Sequence, residues 1–292
     1  MHKVVAKLFE NTRLSGLINL QTTHPIQNRY KLSIALVLSI ALISCVYHTT
    51  NQSESKEDIL VIPSLVTLGK KPDFGAILDI TEKKRAFFAY LVPGIKAENQ
   101  RILNERHYIS GIQESLTVNQ LTESQLKSAE KLAKLYQLPL HKGNVTQNWL
   151  NEMKKRVNVL PETLVLTQAA NESAWGTSRF AQKGNNYFGQ WCYQKGCGLI
   201  PLQRNDSATH EVAKFPSAAE SIHRYFMNVN RNQAYSELRN IRANIAEQGG
   251  DLLSSDSATQ LANGLIRYSE RGQDYVDDLQ AMIRHNDEFW QQ

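Results

Sequence analysis

Glu172 stands in the run Gln168-Ala169-Ala170-Asn171-Glu172-Ser173-Ala174-Trp175-Gly176-Thr177-Ser178-Arg179-Phe180, followed by Asn185-Asn186-Tyr187-Phe188-Gly189. The segment from Pro161, a residue suited to a first helical position, to about Ala174 reads as one helix, so Glu172 falls near its C-terminal end. The helix macrodipole is negative there and disfavours a carboxylate. Trp175 and Phe188 add an apolar wall. Both effects raise a carboxyl pKa and keep a proton available at neutral pH, which suits a general acid that protonates a leaving glycosidic oxygen. A lone glutamate at a helix end is ordinarily a solvated surface group; the surrounding run sets this one apart. Ala169, Ala170 and Ala174 let neighbouring backbone pack closely beneath it, and Gly176 permits a sharp exit.

The two runs together resemble the glucosaminidase domain of peptidoglycan hydrolases, glycoside hydrolase family 73, which is lysozyme-like. Asn185–Gly189 resembles that family's Asn-Asn-(Leu/Tyr/Phe)-Phe-Gly segment. A second match, Leu265-Ile266-Arg267-Tyr268-Ser269-Glu270-Arg271-Gly272-Gln273-Asp274-Tyr275, resembles the family's Tyr-Ala-Thr-Asp segment, with Tyr268 on the tyrosine. Arg271 stands where the family has aspartate and Glu270 lies one residue early, so no carboxylate role carries over. The order of segments, the linker and the flap with its two cysteines resemble the Bax-type branch of the family in Gram-negative bacteria, over about residues 81–292.

The resemblance implies an endo-β-N-acetylglucosaminidase that cleaves the β-1,4 bond of peptidoglycan after N-acetylglucosamine. Glu172 would be the general acid, and Tyr268 would orient the substrate's N-acetyl group. Glycan strands are the implied partner, and no cofactor is implied. Many family members carry a further flap glutamate. Here the flap offers Asp206 and Glu211, with Glu220 just beyond; Glu211 is the choice, with a solvent-facing strand residue as its other reading. Without a flap carboxylate the substrate's acetamido oxygen can serve as nucleophile. Asn186 and Trp175 are expected at the cleft. Phe188 either stacks on sugar or fills the core, with the core favoured, and Trp191 is either an exposed sugar platform or a packed side chain. Two rival readings are a lytic transglycosylase, which also uses Glu-Ser at a helix end, and a non-catalytic peptidoglycan-binding or scaffold domain.

These residues need a scaffold and an address. The net charge is +5, but Lys3, Lys7, Arg13, Arg29 and Lys31 against Glu10 place +4 of it in residues 1–31, leaving +1 for the other 261. The basic balance therefore belongs to the tail and is no nucleic-acid signal. Residues 32–47 form an uncharged apolar run between that basic segment and a polar stretch, the layout of an export signal or single-pass inner-membrane anchor with the remainder in the periplasm. The run is short for a spanning helix. Alternatively Leu42-Ile43-Ser44-Cys45 resembles a lipobox, which would lipidate Cys45. Export places Cys192 and Cys197 in an oxidising space. With no second Cys/His pair at finger spacing, a disulfide closing a small loop is preferred to a zinc site, and no metal set stands out elsewhere.

Residues 48–80, with Pro63, Gly69, Pro72 and Gly75, read as a linker with a short extended piece at Ile59–Ile62. From Thr81 the period is helical: Phe87, Phe88, Leu91, Val92 and Ile95 form a stripe that Pro93-Gly94 should kink or interrupt. Helical patterns continue over 102–116, 123–136, with Thr122-Glu123-Ser124-Gln125 as a capping box, and 148–157. Glycines, cysteines and short alternation over 187–215 predict a β-hairpin flap. Helices return at 218–229, 235–247, 257–266 and 274–290. The expectation is a mainly α, lysozyme-like domain over 81–292, core 145–292, with one small β-flap, behind a transmembrane or signal segment.

Overall fold

The computed structural model describes residues 59–202 and 209–290. The apolar run 32–47, Cys45 and Asp206 lie outside them. No helix among the described residues is long and apolar enough to cross a membrane.

The domain is mainly helical and is organised by α1, Ile80–Thr117. Asp79 caps it, accepting from the Glu82 amide, and it buries Phe87, Leu91, Ile95, Ile102, Ile109 and Ile112. The interruption expected at Pro93-Gly94 does not occur: one helix runs through both residues. Gly94 has a packing reason instead, since a Cβ there would meet Ile222 Cδ1 at 2.7 Å, so the glycine lets helix α6 (Ala218–Arg231) cross closely. Helix α2 (Glu123–Leu135) starts with the Thr122/Gln125 capping box, and α3 (Gln147–Arg156) is capped by Thr146. Residues 59–79 hold no helix or strand but are tied to this framework. Leu60 is buried, its amide donates to Ser128 Oγ, and Lys131 donates to its carbonyl. Lys71 reaches the carbonyl of Gln182 at the end of α5 (Arg179–Gly184), a short helix absent from the sequence reading and capped by Ser178.

At the centre lies α4, Glu162–Ser173, with Pro161 one position earlier than expected, at the N-cap. Every residue from Thr163 to Ala170 is buried, so the helix is enclosed on all sides rather than amphipathic. It packs against α1, α8 (Ser255–Ala262) and α9 (Gln273–His285). Helix α7 (Ser236–Glu247) packs on α8 and on the turn Asn263–Leu265 that follows it. There Gly264 is pressed so close to the Leu238 backbone that a Cβ would lie 2.3 Å from it. The last helix expected to run unbroken to Trp290 stops at Asn286 before α10 (Asp287–Trp290).

The β-flap is a three-stranded antiparallel sheet rather than a hairpin. Strands β1 (Trp191–Cys192) and β2 (Gly198–Leu199) both pair with the central β3 (Glu211–Ala213). The Cys192–Cys197 disulfide closes the loop between β1 and β2.

Candidate active site

Glu172 is the penultimate residue of α4, as the sequence predicts. Immediately after it the chain makes a tight left-handed exit: Ala174, Trp175 and Gly176 have φ of 48°, 55° and 78°. The first two have side chains, so the turn stores strain on the order of 1–3 kcal/mol each. The Trp175 amide bonds back to the Ala170 carbonyl at 2.9 Å, and the Gly176 amide to Ser173 Oγ at 2.9 Å. Gly176 is required for space as well, because a Cβ would fall 2.4 Å from the Phe74 ring. Trp175 then packs edge-on against Phe87 and Phe88, with the Lys84 ammonium 5.4 Å from its ring centre, so it locks the exit onto α1.

The Glu172 carboxylate is partly buried. Burial pushes its pKa above the ordinary glutamate value; hydrogen bonds from Tyr275 and Asn171 and the charge of Arg271 oppose the shift without cancelling it. The Tyr275 hydroxyl, from the first turn of α9, donates to Oε1 at 2.8 Å, and Asn171 Nδ2 approaches the same oxygen at 3.3 Å. The chain of bonds continues inward: Gln168 Nε2 donates to the Tyr275 oxygen at 3.0 Å, and the Tyr225 hydroxyl donates to Gln168 Oε1. With Oε1 engaged as acceptor, an acidic proton belongs on Oε2. That oxygen lies against Gly189, where a Cβ would sit 3.2 Å from it.

Tyr268 joins this cluster from the turn between α8 and α9. Its ring stacks on Tyr275 at 5.7 Å with a 2° interplanar angle, and its hydroxyl donates to the Phe188 carbonyl at 2.7 Å. Tyr268 thereby holds the 186–189 turn beside Glu172. The inside of that turn is built by Asn186, which is buried and fully used. Its Nδ2 donates to the Gln190 and Ala213 carbonyls, and its Oδ1 accepts from the Phe188 and Gln190 amides. Asn186, expected at the cleft, has its four hydrogen-bonding positions taken within the protein. Phe188 takes the core alternative, stacked on Tyr225 at 4.2 Å. Trp191 is 53 % exposed on β1, its ring stacked on His210 at 4.0 Å, which leaves an aromatic face at the surface.

Glu211 is placed differently from a cleft acid. It is 4 % exposed; Oε1 accepts from the Gly196 amide at 2.9 Å and Oε2 from the Gly198 amide at 2.8 Å. It braces the disulfide loop. Cys192, Cys197 and Glu211 lie together, yet the sulfurs are bonded to each other and the carboxylate is held by these amides, so the group is poorly suited to a metal ion.

The sequence reading thus brings Glu172 and Tyr268 to one place, and it missed Tyr275, Gln168, Tyr225 and Gly189. Gln168 was legible in principle, since it lies four residues before Glu172 on the same helical face. Tyr275 closes the segment that begins at Leu265, but its link to Glu172 spans 103 residues, so its role carried no local signal.

Residues 147–288 match the model of the glucosaminidase family, described as mannosyl-glycoprotein endo-beta-N-acetylglucosaminidase. The chain is 31 % identical over 215 residues to Protein bax of Escherichia coli (strain K12), covering 74 % of each chain. No solved structure matches it. The motif around Glu172, the segment around Tyr268 and these two similarities agree: the chain belongs to the glucosaminidase-domain proteins of the Bax type.

Proposed function

We propose that this protein is a glycoside hydrolase of peptidoglycan that cleaves the β-1,4 bond after N-acetylglucosamine, with Glu172 as general acid. The observation that carries the reading is the state of Glu172: partly buried, its pKa raised by that burial, and one oxygen held by Tyr275 so that the other is left for the proton. Such an acid protonates the glycosidic oxygen as the bond breaks and a cationic sugar develops. Glu211 is occupied by two backbone amides, which favours the substrate's acetamido oxygen as internal nucleophile over a flap carboxylate. Tyr268 and Tyr275 form the floor that fixes the acid, and Trp191 offers the exposed aromatic face on which a sugar can stack.

Anchoring by residues 32–47 in the inner membrane, with this domain in the periplasm, belongs to the same proposal, as does its alternative, lipidation of Cys45. The Cys192–Cys197 disulfide supports an oxidising compartment. The test is mass spectrometry of fragments released from purified peptidoglycan. Reducing-end N-acetylglucosamine is the expected product. Anhydromuramyl ends would make the protein a lytic transglycosylase, and sacculus binding without any release would make it a wall-binding module.

A further inference from the structure

Three helices end at one place on the side of the domain bounded by α2, α3 and α6. Their carbonyls are met by arginines. Arg156 Nη1 approaches the Tyr136, Gln137 and Arg231 carbonyls at 2.9, 3.3 and 3.3 Å, Arg231 Nη1 approaches Leu135 O at 3.3 Å, and Arg239 Nη1 donates to Val229 O and Asn232 O at 3.0 and 2.8 Å. The negative ends of helices account for part of this charge. They do not account for all of it. Arg156 pairs with Glu152 and Arg224 with Glu220, but Arg231 and Arg239 have no carboxylate partner among the described residues. Burial and the neighbouring Arg224 push Arg231 below its ordinary pKa against an opposing pull from Tyr136, and burial together with Arg156 lowers Arg239 to about 10 although Glu152 attracts it. The cations here are under-compensated.

Between these helix ends lies a cavity of about 490 Å³ lined by Gln137, Arg156, Asn228, Arg231, Asn232 and Gln233. Its lining is therefore two guanidiniums and four amides. Arg231 uses one of its five N–H groups on protein, and Arg156 Nη2 has no partner among the described residues. Forked donors with free N–H groups in a polar hollow match a carboxylate. The cavity is also linked to the acid. Asn228 lines it and lies beside Tyr235; the Tyr235 ring packs 5.8 Å from Tyr268, and Tyr235 feels the charge of Glu172.

We propose that this arginine-lined cavity is a binding site for a carboxylate of the peptide stems carried by the glycan, so that the protein acts preferentially on peptide-bearing strands. The proposal rests on the peptidoglycan reading above and adds the substrate class. A charge-assisted bond of this kind gives a preference of roughly tenfold in kcat/KM. The full-length protein is assayed on peptide-bearing strands and on the same strands stripped of peptide by an amidase. The wild type is expected to prefer the former about tenfold, Arg231→Gln to bring that rate down to the stripped-strand level while leaving stripped-strand turnover unchanged, and Arg231→Lys to restore part of the preference. Equal turnover of both substrates by the wild type, or an equal loss on both in Arg231→Gln, would overturn it. A calorimetric titration of the wild type with a free stem peptide, beside the same peptide with its carboxyls amidated, needs neither turnover nor a folded variant. Binding of the acid form alone supports the site; equal binding or none removes it. Should neither strand be cleaved, the hydrolase reading fails and this titration still decides the cavity.

Discussion

Replacing Glu211 by glutamine separates the two roles open to this carboxylate. In the wild type its two oxygens accept from the Gly196 and Gly198 amides at 2.9 and 2.8 Å, with the side chain almost wholly buried. Glutamine keeps one acceptor oxygen and turns an NH₂ group toward the second amide. One charge-assisted bond, worth about 1.5–3 kcal/mol, is lost, and a buried donor is left facing a donor. The expected local cost is therefore about 2–4 kcal/mol. If flap and core melt as one unit, that is a fall of about 5–15 °C in Tm for a domain of this size. Calorimetry reads the melting, and amide hydrogen exchange at Gly196 and Gly198 reads the flap directly. Exchange at both should accelerate, and activity lost with the flap should return on cooling with the shape of the pH profile unchanged. Abolished activity together with unchanged melting and unchanged exchange would refute the bracing role and return Glu211 to the chemistry.

Activity should fall as pH rises through the raised pKa of Glu172, because only the protonated acid works; Tyr275→Phe removes a bond that lowers this pKa and should move the alkaline limb of a pH–rate profile upward. Arg271→Gln should move it in the same direction, since that cation also lowers the Glu172 pKa. Glu172 binds its proton more tightly folded than unfolded, so its contribution to stability is fully present below the ordinary glutamate pKa and is lost as pH climbs through the folded value. Glu172→Gln should therefore melt progressively higher than the parent as pH rises above the usual glutamate range, measured by calorimetry across pH. Gly189→Ala places a Cβ at φ +62° and 3.2 Å from Glu172 Oε2, so it should cost about 1–2 kcal/mol in denaturant unfolding and lower kcat by more than that loss explains.

The parts of the fold legible in the sequence were those with local periodic signals. The stripe of α1 and the capping box at Thr122 are decided within a few residues and appear where the pattern puts them, and the helix expected to open at Pro161 begins one residue later. Pro93 does not interrupt α1, because a proline inside a long helix is tolerated when tertiary packing holds both halves, and Gly94 is fixed by Ile222, a neighbour 128 positions away. The short α5 escaped because six residues give too little period to see. At the site, Glu172 was legible from the run around it, which resembles the family's motif, and not from its helix-end position alone. The motif places Asn186 at the cleft, but its three bonds inside the 186–190 turn and a fourth to the Ala213 carbonyl on β3 are a three-dimensional fact. The supporting line Tyr225–Gln168–Tyr275 crosses three helices, and pairings of that range leave no mark on a single sequence.

The central claim is that one carboxyl group donates the proton that cuts the glycan. The most direct measurement compares fragment release from purified peptidoglycan by the parent and by Glu172→Gln, with sacculus co-sedimentation and circular dichroism recorded on the same samples. Loss of a general acid predicts release lower by roughly 10²–10⁴-fold with binding and fold retained. Release by the variant at the parent's rate would contradict it.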